Sequence, residues 1–209
     1  MLLRAGGAAR RAALAATSRG LVSASKQPLP TMETIRSLSK PELEGVRLQL
    51  DRQLDGCPAQ ADRGAIQRLL GATLLRLGSP LDAELVLDEA LSDHEGDERA
   101  EEAVDTRFML GVAYQKSGRA KEALDAFDWV LEATDGEHWR AKFHLALLSI
   151  SEGYHDEAEA LLEQVVEAEP GHVDSVAILE KLVERRRAEA NELEVPDPDG
   201  AVGPSKSSA

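Results

Sequence analysis

Aromatic residues make up only 3% of this 209-residue chain, so its core has to be assembled from leucine, alanine and valine. The strand formers tyrosine, threonine and isoleucine are scarce as well. Alanine and leucine instead accompany abundant glutamate, lysine and arginine, which is the composition of an all-α protein. A single cysteine, Cys57, excludes an intrachain disulfide and says nothing of the redox compartment. No uncharged run approaches the roughly 18 residues that a membrane-crossing helix needs, so a soluble chain without a transmembrane segment or tail anchor is expected.

Acids are missing from the first thirty residues, which carry Arg4, Arg10, Arg11, Arg19 and Lys26. The remainder holds 19 basic against 38 acidic residues, a net charge of −19. A body of that sign repels phosphate backbones, so neither nucleic acid nor an anionic membrane surface is expected as its main partner. The opening stretch, MLLRAGGAARRAALAATSRGLVSASKQPLP, is rich in arginine and alanine, contains hydroxylated residues and has the composition of an organellar import segment. Glycines and arginines interrupt each apolar run before it reaches the length of a secretory signal core. Residues 1–30 are therefore read as a disordered import presequence, with the mitochondrion, its matrix in particular, as the destination and the plastid as the alternative.

Self-similarity organises the body of the chain. Three segments align without gaps: AIQRLLGATLLRLGSPLDAELVLDEALSDHEGD, DTRFMLGVAYQKSGRAKEALDAFDWVLEATDGE and RAKFHLALLSISEGYHDEAEALLEQVVEAEPGH. Gly78, Gly118 and Gly153 mark equivalent turns; Ala83, Ala123 and Ala158 come next, then Leu87, Phe127 and Leu162. Upstream, a leucine and a small residue recur as Leu70-Gly71, Leu110-Gly111 and Leu145-Ala146. The acidic loop SDHEGDERAEE absorbs the longer first interval. The second helix of each segment divides cleanly: Ala120, Ala123, Leu124, Phe127, Val130 and Leu131 form an apolar stripe, with Lys121, Glu122, Asp125, Asp128 and Glu132 opposite it.

This pattern is similar to the tetratricopeptide repeat, a helix-turn-helix unit with small residues where its helices touch. Leu110, Gly111, Tyr114, Gly118, Ala123 and Phe127 match the family's sites in the middle copy, and Pro170 matches the closing proline of the last. Gln67, Arg107 and Lys142 depart from it, standing where a bulky aromatic would open the first helix. The resemblance implies a solenoid of three repeats, at residues 61–95, 104–137 and 139–172. A glycine inside a helix costs roughly 1 kcal/mol relative to alanine. Gly111 is accordingly expected to face Ala123 at a close helix crossing, with Phe127 and Tyr114 filling the space on either side.

Residues 31–60 are expected to form an N-terminal capping helix, opened by a Ser39-x-x-Glu42 capping box and turning Val46, Leu50 and Leu54 inward. Residues 173–190 form a C-terminal capping helix that buries Val176, Leu179 and Val183. Residues 191–209, acidic and rich in proline, glycine and serine, form a disordered tail.

The sequence holds no phosphate loop, no metal-ligand spacing and no nucleophile with a neighbouring base, so no catalytic, cofactor-binding or metal-binding residue is assigned and no enzyme is expected. His138, His144, His155 and His172 lack the i, i+3 or i+4 pairing that sets two imidazoles on one helical face, and read as turn or surface residues. The fold implied by the resemblance offers instead a concave groove lined by the first helix of each repeat. One register off the core stripe lie Arg68, Ala72 and Leu75, then Phe108, Val112 and Gln115, then Phe143, Leu147 and Ile150. That surface suits an apolar protein or peptide segment, unless these side chains pack between neighbouring repeats. Arg68, Arg140 and His144 sit at basic sites, as in family members that clamp a C-terminal carboxylate. The clamp's asparagines are missing, however: Asn191 is the only one in the chain, and Met109 occupies one expected position. The reading is an adaptor or assembly factor that binds a protein noncovalently. A constitutive accessory subunit of an organellar complex is the alternative, and an RNA-binding helical repeat the remoter one, disfavoured by the acidic body.

Overall fold

The computed structural model describes residues 28–57, 60–92 and 100–193. Among them are helices α1 (Met32–Ser37), α2 (Lys40–Asp55), α3 (Gln60–Leu77), α4 (Pro80–Ser92), α5 (Glu101–Lys116), α6 (Ala120–Ala133), α7 (Trp139–Glu152), α8 (His155–Ala168) and α9 (Val173–Leu193), with no strand. The import segment up to Gln27, Pro58, most of the acidic loop and the tail from Glu194 lie outside the described residues.

Each expected pair forms an antiparallel hairpin: α3 packs on α4, α5 on α6 and α7 on α8. One local device makes all three turns. Gly78, Gly118 and Gly153 adopt φ of +84°, +75° and +88°, a left-handed conformation that side chains resist. The next residue then donates back into the finished helix: Ser79 N to Leu74 O at 2.9 Å, Arg119 N to Tyr114 O at 2.9 Å and Tyr154 N to Ser149 O at 2.8 Å. These bonds satisfy carbonyls that a helix end leaves orphaned and fix the reversal geometry.

Inside each hairpin a small residue lies beneath a large one sixteen positions later. A Cβ built on Gly71 would stand 2.5 Å from Leu87 Cδ2, and one on Gly111 would stand 2.6 Å from Phe127 Cε1. In the third hairpin the equivalent Ala146 and Leu162 are both fully buried in one cluster. The sequence expectation placed Ala123 opposite Gly111; the structure puts the Phe127 ring there, because the large residue one turn further along α6 is the one that reaches across. Ala123 is itself fully buried.

Hairpins stack through α4 on α5 and α6 on α7. The first helices α3, α5 and α7 also approach one another more closely than the second helices do, so the stack curves with the first helices inside. Arg119, at the turn of the second hairpin, reaches back to Glu84 of the first at 2.7 Å and lies 4.6 Å above the Tyr114 ring.

The N-terminal cap is two helices where the sequence suggested one. The Ser39 N–H donates to Glu42 Oε2 at 2.8 Å, forming the expected capping box, and the Ser39 hydroxyl first, then this N–H, hold the Glu42 carboxyl below its ordinary pKa. Leu43, Leu50 and Leu54 of α2 are buried and Val46 is half-buried. The short α1 precedes the box, seals Ile35 and is tied to α3 by a bond from Arg76 Nη1 to the Ile35 carbonyl. Its six residues are too few to show a helical period, so no sequence pattern announced it.

At the other end α9 runs to Leu193, beyond the expected boundary at 190, and packs on α8. Its buried residues are Ser175 and Leu182, whereas Val176, Leu179 and Val183 are half-buried. The inward stripe is therefore rotated from the expected one. Polar contacts accompany this orientation: Arg185 Nη1 donates to His155 Nε2 at 2.7 Å, and Arg186 pairs at 2.8 Å with Glu159, whose side chain is only 8% exposed.

The third hairpin supplies a test of the close crossing. Gly111→Ala drives a Cβ into a rigid ring, and the overpacking of about 1–3 kcal/mol outweighs the helical gain of about 1 kcal/mol. The melting temperature should fall. Phe127→Leu alone should also destabilise, by leaving a cavity. Combining the two recreates the Ala146/Leu162 arrangement, so the double variant should be more stable than the sum of the single losses by about 1 kcal/mol or more. Strict additivity in urea denaturation would show that the two positions do not meet as described.

Candidate functional site

The nine positions assigned to the groove fall on the inner first helices, and the structure divides them. Leu75 is 8% exposed and belongs to the buried cluster of the first hairpin, so it offers nothing at the surface. The remaining eight are half-buried. Ala72 and Val112 lean on that same cluster, and Ile150 on the cluster of the third hairpin. Arg68 and Leu147 carry no comparable attachment, and Arg68 forms no salt bridge among the described residues.

Phe108, Gln115 and Phe143 are tied up between repeats, and their partners are histidines. Phe108 lies 4.9 Å from the His138 ring and 5.5 Å from that of His144; Phe143 lies 4.7 Å from His172 and 5.6 Å from His144. Phe127 stacks on His144 at 5.2 Å, while Gln115 Oε1 meets His144 Nδ1 at 2.6 Å. Phe108 and Phe143 on the inner side, the fully buried Phe127 behind them and three of the five histidines thus form one connected strip of rings. The expectation that these histidines are turn or surface residues holds only for their positions at helix starts. His144 is different: it lies mid-helix, wedged between repeats.

His138 and His172 perform the same task at successive junctions. The His138 side chain accepts the Ala141 N–H at 3.1 Å, and His172 Nδ1 accepts the Ser175 N–H at 3.3 Å with the Ser175 hydroxyl at 2.6 Å. Each imidazole therefore caps the first turn of the helix that it precedes, as serine or asparagine does elsewhere. The same ring also packs on the phenylalanine of the preceding repeat, so one side chain both starts a helix and fixes where it stacks. An imidazole accepts at Nδ1 only while that nitrogen is unprotonated. The signal was present in the sequence as spacing: Phe108 and Phe143 are 35 residues apart, and His138 and His172 are 34 apart. A search confined to pairs within one helix passes over it.

Electrostatics agree with the packing. Burial, with lesser repulsion from Lys116, His138 and His172, pushes His144 down to about 4. Burial also lowers His138, assisted by Arg140 and opposed by Asp105. Arg140, whose guanidinium lies 5.2 Å from the Trp139 ring, is held below the ordinary arginine value by burial and by the nearby Arg36. No group of three potential metal ligands occurs among the described residues, and none of their helices is long and apolar enough to cross a membrane.

Residues 140–172 match a family model described as tetratricopeptide repeat. A crystal structure of MamA is similar with a TM-score of 0.55 at 19% identity, over 79% of this chain and 99% of that one. A second crystal structure of MamA protein gives 0.53 at 19% identity, over 83% and 94%. Comparison with curated proteins gives no match. The fold is the tetratricopeptide solenoid. At this level of identity the likeness concerns the fold alone. Within that fold the matched segment is the third hairpin, from Arg140 after the His138 cap to His172 before α9.

Two measurements check the histidine strip. His138→Ala removes a cap and should cost about 1 kcal/mol, most of which His138→Asn should restore; equal losses for both in urea denaturation would refute the capping role. His144 has a folded pKa of about 4, below the ordinary imidazole value near 6.5. Its contribution is therefore complete above pH 6.5 and is lost as the pH falls toward 4, by about 3 kcal/mol at most. Wild type should lose stability over that window more steeply than His144→Gln, and parallel curves would contradict the burial.

Proposed function

We propose that this protein is a noncatalytic adaptor or assembly factor of the mitochondrial matrix, holding an apolar segment of another protein along the inner face of its solenoid. The observation that carries the reading is the row of half-buried side chains at Arg68, Val112, Phe143, Leu147 and Ile150, on the side where the first helices converge. Leu147 and Arg68 are the members with room to act outward, since histidines and neighbouring repeats occupy much of the rest. Binding by such a face is governed by apolar burial, with modest dependence on salt. The acid-free first thirty residues support an organellar destination. A constitutive accessory subunit, buried through its outer face, is the second reading; Leu81 and Leu85 favour it, being 64% and 57% exposed on α4.

Affinity purification of tagged full-length chain from isolated mitochondria tests the inner face directly. Leu147→Glu combined with Arg68→Glu should leave the thermal melt unchanged and reduce recovery of the copurifying protein by about tenfold or more. Undiminished recovery means that the segment docks elsewhere. Stoichiometric comigration with a large complex on native gels would favour the subunit reading. Residues 1–30 fused to a fluorescent reporter should direct it to mitochondria, and a diffuse signal would remove the localisation.

A further inference from the structure

The outer side of α4 carries a surface that the folded repeats do not use. Leu81 is 64% exposed and Leu85 57% exposed. At about 100° per residue these two and Asp88 fall on one stripe of the helix, opposite the buried Ala83, Leu87 and Ala90. The stripe runs between two hollows. One, of about 390 Å³, lies where the first two turns meet and is bounded by Gly78, Pro80, Leu81 and Ser117. The other, of about 300 Å³, opens between α4, α5 and α6. Leu91, Leu110 and Tyr114 give it apolar walls, and Asp88, Glu122 and Asp125 give it three carboxylates.

Those carboxylates are short of cations. Glu122 is satisfied by Arg119 at 3.0 Å. Asp88 and Asp125 have no salt-bridge partner among the described residues, and the one arginine in the walls, Arg107, holds its guanidinium 4.2 Å over the Trp129 ring. Burial and the neighbouring Glu84 raise the Asp88 carboxyl above its ordinary pKa, Arg119 opposing. An arginine or lysine suits this hollow well, its methylenes lying on Leu91 and Leu110 and its charge reaching Asp88 and Asp125. Exposed leucines beside unpaired acids call for a segment that is basic and leucine-bearing.

We propose that the outer stripe of α4 and its flanking hollows dock the chain's own first 27 residues. That segment has Arg4, Arg10, Arg11, Arg19 and Lys26, no acid, and Leu2, Leu3, Leu14 and Leu21. A second copy of the body is a poor occupant, because two surfaces of net charge −19 repel. The geometry of attachment permits the contact. The described chain begins at Pro28, whose carbonyl accepts from Gln49 Nε2 of α2 at 3.4 Å; 27 extended residues reach about 90 Å at most, and α4 is one hairpin away. The tether also supplies an effective concentration in the millimolar range, enough for a contact too weak to hold two separate chains. The docked segment shields Leu81 and Leu85, and its removal exposes them. This inference does not depend on the inner-face reading or on where the chain is delivered.

Trypsin cleavage at Arg10, Arg11 and Arg19 of the full chain reports the contact. Leu81→Ser with Leu85→Ser, and separately Asp88→Asn with Asp125→Asn, should speed that cleavage about threefold or more, as should about 0.5 M salt for the wild type. Leu81 and Leu85 stand apart from the charged hollow and Asp88 and Asp125 lie in it, so the two variants separate the apolar from the ionic part. A nitroxide on Ala12→Cys in a Cys57→Ser background should broaden the Leu81 and Leu85 methyl resonances more than those of Leu124, which is 44% exposed on α6. Equal broadening, or cleavage rates insensitive to both variants, overturns the proposal. Should the variants leave cleavage unchanged yet abolish recovery of another protein, the stripe docks that partner and the intramolecular contact is excluded.

Discussion

The approach of two helices to within the width of a missing side chain underlies everything else in this molecule. Where Gly71 meets Leu87 and Gly111 meets Phe127, no Cβ fits, and the large residue fills what a side chain on the first helix would have taken. The helical penalty of a glycine is about 1 kcal/mol, smaller than the dispersion and burial gained when a phenylalanine ring is sealed completely. Close pairing also sets the thickness of each hairpin, and therefore the distance at which the next one stacks. A hairpin held apart by a methyl group would shift α6 away from α5 and strain the contacts that Phe127 makes onward to Phe108 and His144.

Stacking then depends on a second device, in which chain continuity and packing share one residue. His138 and His172 begin α7 and α9 by accepting backbone N–H groups, and they press on Phe108 and Phe143 of the preceding repeats. A serine would cap as well but would leave the phenylalanine uncovered; a leucine would cover the ring but leave the first turn uncapped. Imidazole does both while neutral. This links repeat geometry to protonation, and it leaves the inner-face phenylalanines less surface to offer to solvent.

The sequence carried the fold almost completely because the repeat restates each requirement. Gly78, Gly118 and Gly153 recur at equivalent positions and prove to be the same left-handed cap, and a small-to-large spacing of sixteen survives the change from Gly111/Phe127 to Ala146/Leu162. The inner face was less legible. A register argument places Phe108, Gln115 and Phe143 on the inside, but whether they face solvent depends on residues a full repeat away, and one-helix periodicity does not contain that information. Leu75 illustrates the same limit, since its burial depends on how closely the second hairpin closes over the first. The non-repeating parts, α1 and the rotation of α9, were least legible, because polar contacts made once, such as Arg186 with Glu159, have no second copy to reveal them.

Charge distribution connects the two faces. On the inner side Arg68 and Arg140 lack salt bridges among the described residues, and burial disfavours the charged forms of His138 and His144. On the outer side Asp88 and Asp125 have no salt bridge among the described residues, while Asp128 is raised above its ordinary pKa by burial and by Asp125 and Glu157. Of these groups, the arginines lie on the inner side and the carboxylates on the outer side. The two docking surfaces proposed above would therefore differ in sign as well as in shape. A segment that is apolar and neutral or acidic suits the inner row, and a basic segment suits the outer stripe of α4. Because the two surfaces are separated by the thickness of a hairpin whose helices cannot slide without driving Gly111 into Phe127, occupation of one need not disturb the other. The rigidity that keeps the two faces independent rests on the small residues at the crossings.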